Sequence, residues 1–229
     1  MLGLVPSLLV ACASSGTTRT SAPARRLRIL CLHGYHGSGR VLRSQLGVVA
    51  DTLAARAELV FADAPSIAAG DFGWWHAVDS EPDRASDDPG VDGRHKHYKG
   101  FARTRDALAT MFERSGPFDG VLGFSQGAAL TALLVGLRGA PIAFDFAIIV
   151  GGFSANDPEL ARLYDRKEAY TLPSVHVMGR TDGIVSIDRS RELARRFARA
   201  TILEHEGGHV VPQTPAIAEA LRAFVAEQP

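Results

Sequence analysis

Hydrophobic residues in this chain fall mainly into short, nearly unbroken runs. Leu27–Leu32 (LRILCL), Ala57–Phe61 (AELVF), Val121–Leu122, Phe144–Val150 (FDFAIIV), Ser174–Met178 (SVHVM) and Ala200–Glu204 (ATILE) read as strands. Several lack the apolar-polar alternation of a half-exposed strand, so they fit a sheet covered on both faces. Between them lie stretches with helical spacing. Val41–Leu53 puts Val41, Leu42, Leu46, Val49 and Leu53 on one side, and Phe101–Glu113 offers Leu108, Met111 and Phe112. Ala128–Leu137, Ile187–Ala198 and Thr214–Ala226 complete the helical set. Strands alternating with helices predict a doubly wound, mostly parallel α/β sheet with helices on both faces.

Two regions break the pattern. Residues 1–26 are apolar at first and then rich in Ser, Thr, Ala and Arg, with no acidic residue before Asp51. Three readings of this leader stand side by side: a secretory or lipoprotein signal ending at Cys12, an organelle transit segment, or a disordered extension. No Lys or Arg precedes the apolar run, which argues against the first. The run is too short to span a bilayer. Location is therefore open between cytoplasmic, organellar and lipid-anchored or secreted. Residues 27–229 read as a single domain. Within it, residues 62–98 form a long loop, with an ordered end at Gly73-Trp74-Trp75 and a mobile polar end at Asp79–His97.

Composition narrows the function classes. The 229 residues are 46% hydrophobic and 22% charged, which is globular. Formal net charge is zero, which argues against an electrostatic nucleic-acid binder. The two cysteines, Cys12 and Cys31, form no disulfide framework and no metal-ligand spacing.

The polar, glycine-rich turns all follow strands, at the end where doubly wound sheets build their sites. Gly123-Phe124-Ser125-Gln126-Gly127 fits G-x-S-x-G in a strand–turn–helix context, which lifts the serine hydroxyl to the top of a sheet. A serine hydroxyl needs a histidine to take its proton and a carboxylate to orient that histidine. In the α/β-hydrolase arrangement the chain order is Ser, Asp or Glu, then His. Ser125, Asp182 and His209 occur in that order, each at a strand-end turn. His205, Glu206 and Asp188 are weaker rivals. His33, His36, His76, His95 and His97 precede the serine, and His176 lies within a strand. The oxyanion donors expected are the N–H of Gln126 and the N–H of Tyr35, in the turn after the first strand. Trp74, Trp75, Phe124 and Phe153 are candidates for the wall of a substrate pocket, with the tryptophan loop as lid. Core packing is the competing role, above all for Phe124.

Several segments together resemble the family of serine hydrolases (FSH), which includes ovarian-cancer-associated-gene-2-type esterases. They are Leu32-His33-Gly34-Tyr35, Asp63-Ala64-Pro65, Gly73-Trp74-Trp75, Gly116 to Ala128 (GPFDGVLGFSQGA), Gly179-Arg180-Thr181-Asp182 and Gly207-Gly208-His209. The resemblance runs from about Leu27 to Val225. It implies an α/β-hydrolase fold without a large cap domain, and a cofactor-free carboxylic ester hydrolase acting on alkyl esters through a triad of Ser125, Asp182 and His209. The implied partner is a small-molecule ester. Acyl-thioesterase action is the alternative, and a non-catalytic binding module is a remote one. The sequence gives no oligomeric state. The chain departs from the family pattern in its leader and in the charged insertion from Glu81 to Lys96, which bear on location and substrate range.

Overall fold

A computed structural model describes residues 25–65, 73–79, 96–164 and 168–229. The leader before Arg25 and the charged insertion up to His95 lie outside the described residues. So does the polar end of the long loop, apart from Asp79 and residues 96–98.

The elements run β1 (Leu27–Leu32), α1 (Gly39–Leu53), β2 (Ala57–Ala62), β3 (His76–Asp79), β4 (Lys96–Lys99), α2 (Phe101–Ser115), β5 (Gly120–Phe124), α3 (Gln126–Gly136), β6 (Phe146–Val150), α4 (Pro158–Ala161), β7 (Ser174–Gly179), α5 (Ile187–Ala194), β8 (Ala200–His205) and α6 (Pro215–Ala226). A short 3₁₀ turn, Arg162–Tyr164, follows α4. Six strands form one sheet in the order β2-β1-β5-β6-β7-β8, and every pairing in it is parallel. This is an α/β-hydrolase fold.

Burial follows the order. All residues of the interior strands β5, β6 and β7 are buried, whereas the edge strands β2 and β8 are partly exposed. Successive side chains on a strand face opposite ways, so each strand feeds two cores. Leu27, Ile29 and Cys31 pack with α1 and α6, while Leu30 and Leu32 pack with α2, α3 and α5. α3 is buried almost all round, which explains why it shows no polar face. Among the described residues no helix is long and apolar enough to cross a membrane.

Three helix starts carry side-chain caps. Ser38 Oγ accepts from Val41 N–H at α1, Asp157 from Glu159 and Leu160 at α4, and Thr214 from Ile217 at α6. α1 is kinked at Gly47, whose φ of 42° suits glycine. The Gln213 side chain fills the kink: its Oε1 accepts from Val48 N–H (3.0 Å) and its Nε2 donates to Gln45 O (2.7 Å).

Two sequence expectations are revised. The long loop contains an antiparallel hairpin, β3 with β4. Each strand is only four residues and largely polar, too short to register as a period. The hairpin is anchored by Asp157 Oδ2 accepting Tyr98 N–H (2.8 Å) and by Asn156, bonded to Lys96 N–H and the Tyr98 hydroxyl. The expected helix to Ala198 ends at Ala194 because Arg196 and Phe197 N–H turn back to the Leu193 and Ala194 carbonyls, and Arg196 O and Ala198 N–H pair with the Tyr170 backbone. Between β6 and β7 the described residues hold only α4 and the 3₁₀ turn.

Candidate active site

The chain leaves β1 for β2 on one side and returns to β5 on the other, so the strand order reverses between β1 and β5. That switch point is where doubly wound sheets open a crevice. The turn after β1 and the turn after β5 meet there, and they carry Tyr35 and Ser125.

Ser125 has φ 55° and ψ −117°, a conformation a non-glycine residue adopts only when its surroundings enforce it. Val150 O fixes its N–H at 2.9 Å. Glycine is required on both sides of the turn. A Cβ at Gly123 would overlap the Gly127 carbonyl, and one at Gly127 would overlap the Leu32 carbonyl. The elbow is therefore built by backbone approaching backbone. Gln126 opens α3, so its N–H is one of those without an intrahelical acceptor.

His209 bridges Ser125 and Asp182. Its Nε2 is 2.8 Å from Ser125 Oγ, and its Nδ1 is 2.6 Å from Asp182 Oδ2. With the ring proton on Nδ1, Nε2 is left to accept from the serine hydroxyl. The imidazole lies against the Phe124 ring, with centroids 5.0 Å apart. Asp182 Oδ1 accepts from Ile184 N–H (2.9 Å) and Val185 N–H (2.8 Å). Burial raises the Asp182 pKa, but the hydrogen bonds from His209, Val185 and Ile184, with the charge of His209, outweigh it. The net shift is downward, so the carboxylate is held ionised. His205 is engaged locally: its Nδ1 accepts from Gly207 N–H. Asp188 and Glu206 sit in ion pairs with Arg191 and Arg180.

The turn after β1 is braced by His33, which is fully buried. Its Nδ1 faces Gly34 O at 2.7 Å and its Nε2 accepts from Ala64 N–H at 3.0 Å, which fixes the proton on Nδ1. Burial lowers its pKa against the opposing effects of the Gly34 carbonyl and Asp63. Trp74 Nε1–H donates to His33 O at 2.7 Å.

A cavity of about 390 Å³ opens beside Ser125 and is lined by Tyr35, Gln126, Trp75, Tyr98, Phe153 and residues of the β3–β4 hairpin, among others. Of the four aromatics singled out in the sequence, Phe153 and Trp75 line this cavity. Trp74 and Phe124 do not. Trp74 is 1% exposed, with its ring against His33 and its carbonyl bonded to the Thr104 hydroxyl, so it belongs to the core. Phe124 is buried beneath His209. Trp75 is 2% exposed and stacked on Tyr98 (centroids 4.7 Å, planes 10° apart). Gly73–Trp75 is thus a fixed wall and not a lid.

Sequence reasoning missed the other function of Gln126. Its side-chain Oε1 accepts from Trp74 N–H and its Nε2 donates to Trp75 O, both at 2.9 Å, clamping the wall to the elbow. It also missed Tyr98, Asn156, Ile184, Val185 and Arg189 as pocket lining. Only the hairpin, unseen in the sequence, brings Tyr98 there.

The family described as Serine hydrolase (FSH1) matches residues 22–221 of the chain. The chain belongs to this family. Among its relatives, Esterase OVCA2 of Xenopus tropicalis is 38% identical over 214 residues, covering 85% of this chain and 90% of that protein. Esterase OVCA2 of Homo sapiens is 35% identical over 217 residues, covering 83% and 92%. Solved structures with the same fold include acyl-protein thioesterase 2 of Zea mays (TM-score 0.61, 18% identity, 90% of this chain and 97% of that one). The carboxylesterase of Bacillus cereus also matches (TM-score 0.59, 16% identity, 88% of each). As a member of this family the chain is a serine hydrolase.

Proposed function

We infer that this chain is a carboxylic ester hydrolase working through an acyl-enzyme, with Ser125 as nucleophile, His209 as general base and acid, and Asp182 as the orienting carboxylate. The observation that carries the reading is the continuous hydrogen-bonded chain from Ser125 Oγ through His209 to Asp182. In the first half of the cycle His209 Nε2 takes the Ser125 proton as Oγ attacks the ester carbonyl. The N–H groups of Gln126 and Tyr35 receive the oxyanion. His209 returns the proton to the departing alcohol, and the acyl group stays on Ser125. Water then repeats the sequence, with His209 again as base, and the acid is released. Asp182 stays ionised and stabilises the imidazolium in both halves. The apolar surfaces of Phe153, Trp75 and Tyr98 suit an alkyl group on the substrate.

Acyl-thioester hydrolysis is the second reading, favoured by the likeness in fold to an acyl-protein thioesterase. A fluorophosphonate probe should label the protein at Ser125, and Ser125→Ala should abolish both labelling and ester hydrolysis. A Ser125→Ala protein that retains full esterase activity would sink the assignment. Rates on matched p-nitrophenyl esters and acyl-CoA thioesters of rising chain length decide between the two substrate classes.

A further inference from the structure

Arg189, on α5, reaches the cavity that holds Ser125. Its guanidinium lies over the Phe153 ring, 4.9 Å from the centroid, which gives it a stacked platform at the mouth. The other charges of α5 are engaged elsewhere. Asp188 pairs with Arg191, and Arg191 also binds Glu204 at 2.6 Å on the far side of the helix. No carboxylate among the described residues pairs with Arg189. Among the described residues the cavity lining contains no Asp or Glu, while it contains Arg189 and Lys96. Lys96 is already neutralised by Asp79. Among the described residues, what remains is one guanidinium without a carboxylate partner at the edge of a pocket with aromatic walls.

A surface arginine without a partner is ordinary. An arginine over an aromatic wall of the pocket beside the nucleophile, with no acidic group in the described lining, is placed to act as a recognition element. Guanidinium is suited to a carboxylate because its planar fork donates two parallel hydrogen bonds. A cleft lined by one sign of charge also concentrates the opposite ion. We propose that Arg189 binds a carboxylate carried by the substrate at the end remote from the scissile carbonyl, so that amphipathic ester acids are preferred over neutral esters of equal length. This rests on the hydrolase reading above. The apolar walls take the chain, and the arginine takes its charged end.

The test compares kcat/KM for methyl hemi-esters of linear dicarboxylic acids with methyl esters of monocarboxylic acids of the same length. A second arm places the carboxylate on the alcohol side, using acetyl esters of ω-hydroxy acids against acetyl esters of plain alcohols. The acid-to-neutral ratio should fall about fivefold in Arg189→Met, the yield of a solvent-exposed ion pair, and further in Arg189→Glu. Arg189→Lys should restore part of it. The wild-type ratio should also shrink as salt rises from about 0.01 to 1 M, since screening shortens the reach of the charge. Whichever arm responds identifies the end of the substrate that faces Arg189. Fluorophosphonate labelling of each variant shows that Ser125 is still reactive. A ratio unmoved by Arg189→Met and Arg189→Glu in both arms, with labelling intact, overturns the proposal alone. Loss of all hydrolysis and labelling in the wild type overturns the hydrolase reading, and the proposal with it.

Discussion

The Gln126 side chain is a clamp whose worth is directly measurable. Its amide is the acceptor for Trp74 N–H and the donor to Trp75 O, and Gln126, Trp74 and Trp75 are all buried. Gln126→Leu keeps most of the side-chain volume and leaves both backbone groups unpaired away from water. Each such group costs about 1–3 kcal/mol, so the pair should cost about 4 kcal/mol. That is a large part of the 5–15 kcal/mol typical of a folded domain. With a urea slope of about 3 kcal/mol/M for a chain of this size, the midpoint should drop by about 1 M or more. The chain has two tryptophans, Trp74 and Trp75, so intrinsic emission reports on the clamped segment itself. Native Gln126→Leu should emit further to the red, and its unfolding followed by emission should shift to lower urea. The backbone N–H of residue 126 survives the substitution. Any rise in KM therefore reports movement of the Trp75 wall and not loss of an oxyanion donor. A midpoint within about 0.2 M of wild type, with unchanged native emission, would refute the clamp.

Two further tests address charge. Asp182→Asn removes the carboxylate that orients His209, and kcat for ester hydrolysis should fall by about 10³–10⁴ with a small change in KM; a loss under tenfold would sink the orienting role. His176 is buried on β7, with Nε2 against Ser174 Oγ and its ring edge-on to Phe197, and burial lowers its pKa from 6.5 to about 4. The folded state therefore resists a proton that the unfolded chain accepts, so stability is intact above pH 6.5 and falls as pH drops towards 4. The loss amounts to about 3 kcal/mol overall, about 2 kcal/mol of it by pH 5. His33 shifts in the same direction for the same reason. The carboxylates contribute only lower, because an unpaired Asp or Glu in the unfolded chain titrates near pH 4. Urea midpoints at pH 7.5 and pH 5 should differ less in His176→Gln than in wild type, and equal differences would count against the assignment.

The frame of the fold was legible because β1, β5, β6 and β7 are buried on both faces and so read as apolar runs. Ser125, Asp182 and His209 were legible because a strand-end turn needs glycine and small polar residues in a narrow pattern. The pocket was far less so. Trp74 and Phe124 were read as walls because large aromatics near a nucleophile suggest one, yet burial alone cannot say which side of a ring faces a cavity. Tyr98 and Arg189 carry no local signal, since a hairpin and a helix far apart in sequence bring them to Ser125. Gln126 was chosen for its backbone, and nothing in the pattern G-x-S-x-G reveals that its side chain holds a distant segment. Gln213 is similar: its value depends on a kink at Gly47, and no helical period shows a kink.

The sheet order gives the three hydrogen-bonded residues unequal protection. Ser125 leaves β5, an interior strand buried at every position, whereas His209 follows β8, the edge strand, none of whose residues is fully buried. Opening a sheet from its edge costs less than melting its centre. In the proposed mechanism His209 should therefore separate from Ser125 before the fold is lost, leaving a population that is folded, carries an intact Ser125 and does not turn over. The ties from Gln213 into the kink of α1 oppose that parting, because they moor the far end of the His209 turn to a helix packed on the sheet. On that reading, how long activity lasts should depend less on the strength of the core than on how firmly one loop is moored at the sheet's margin.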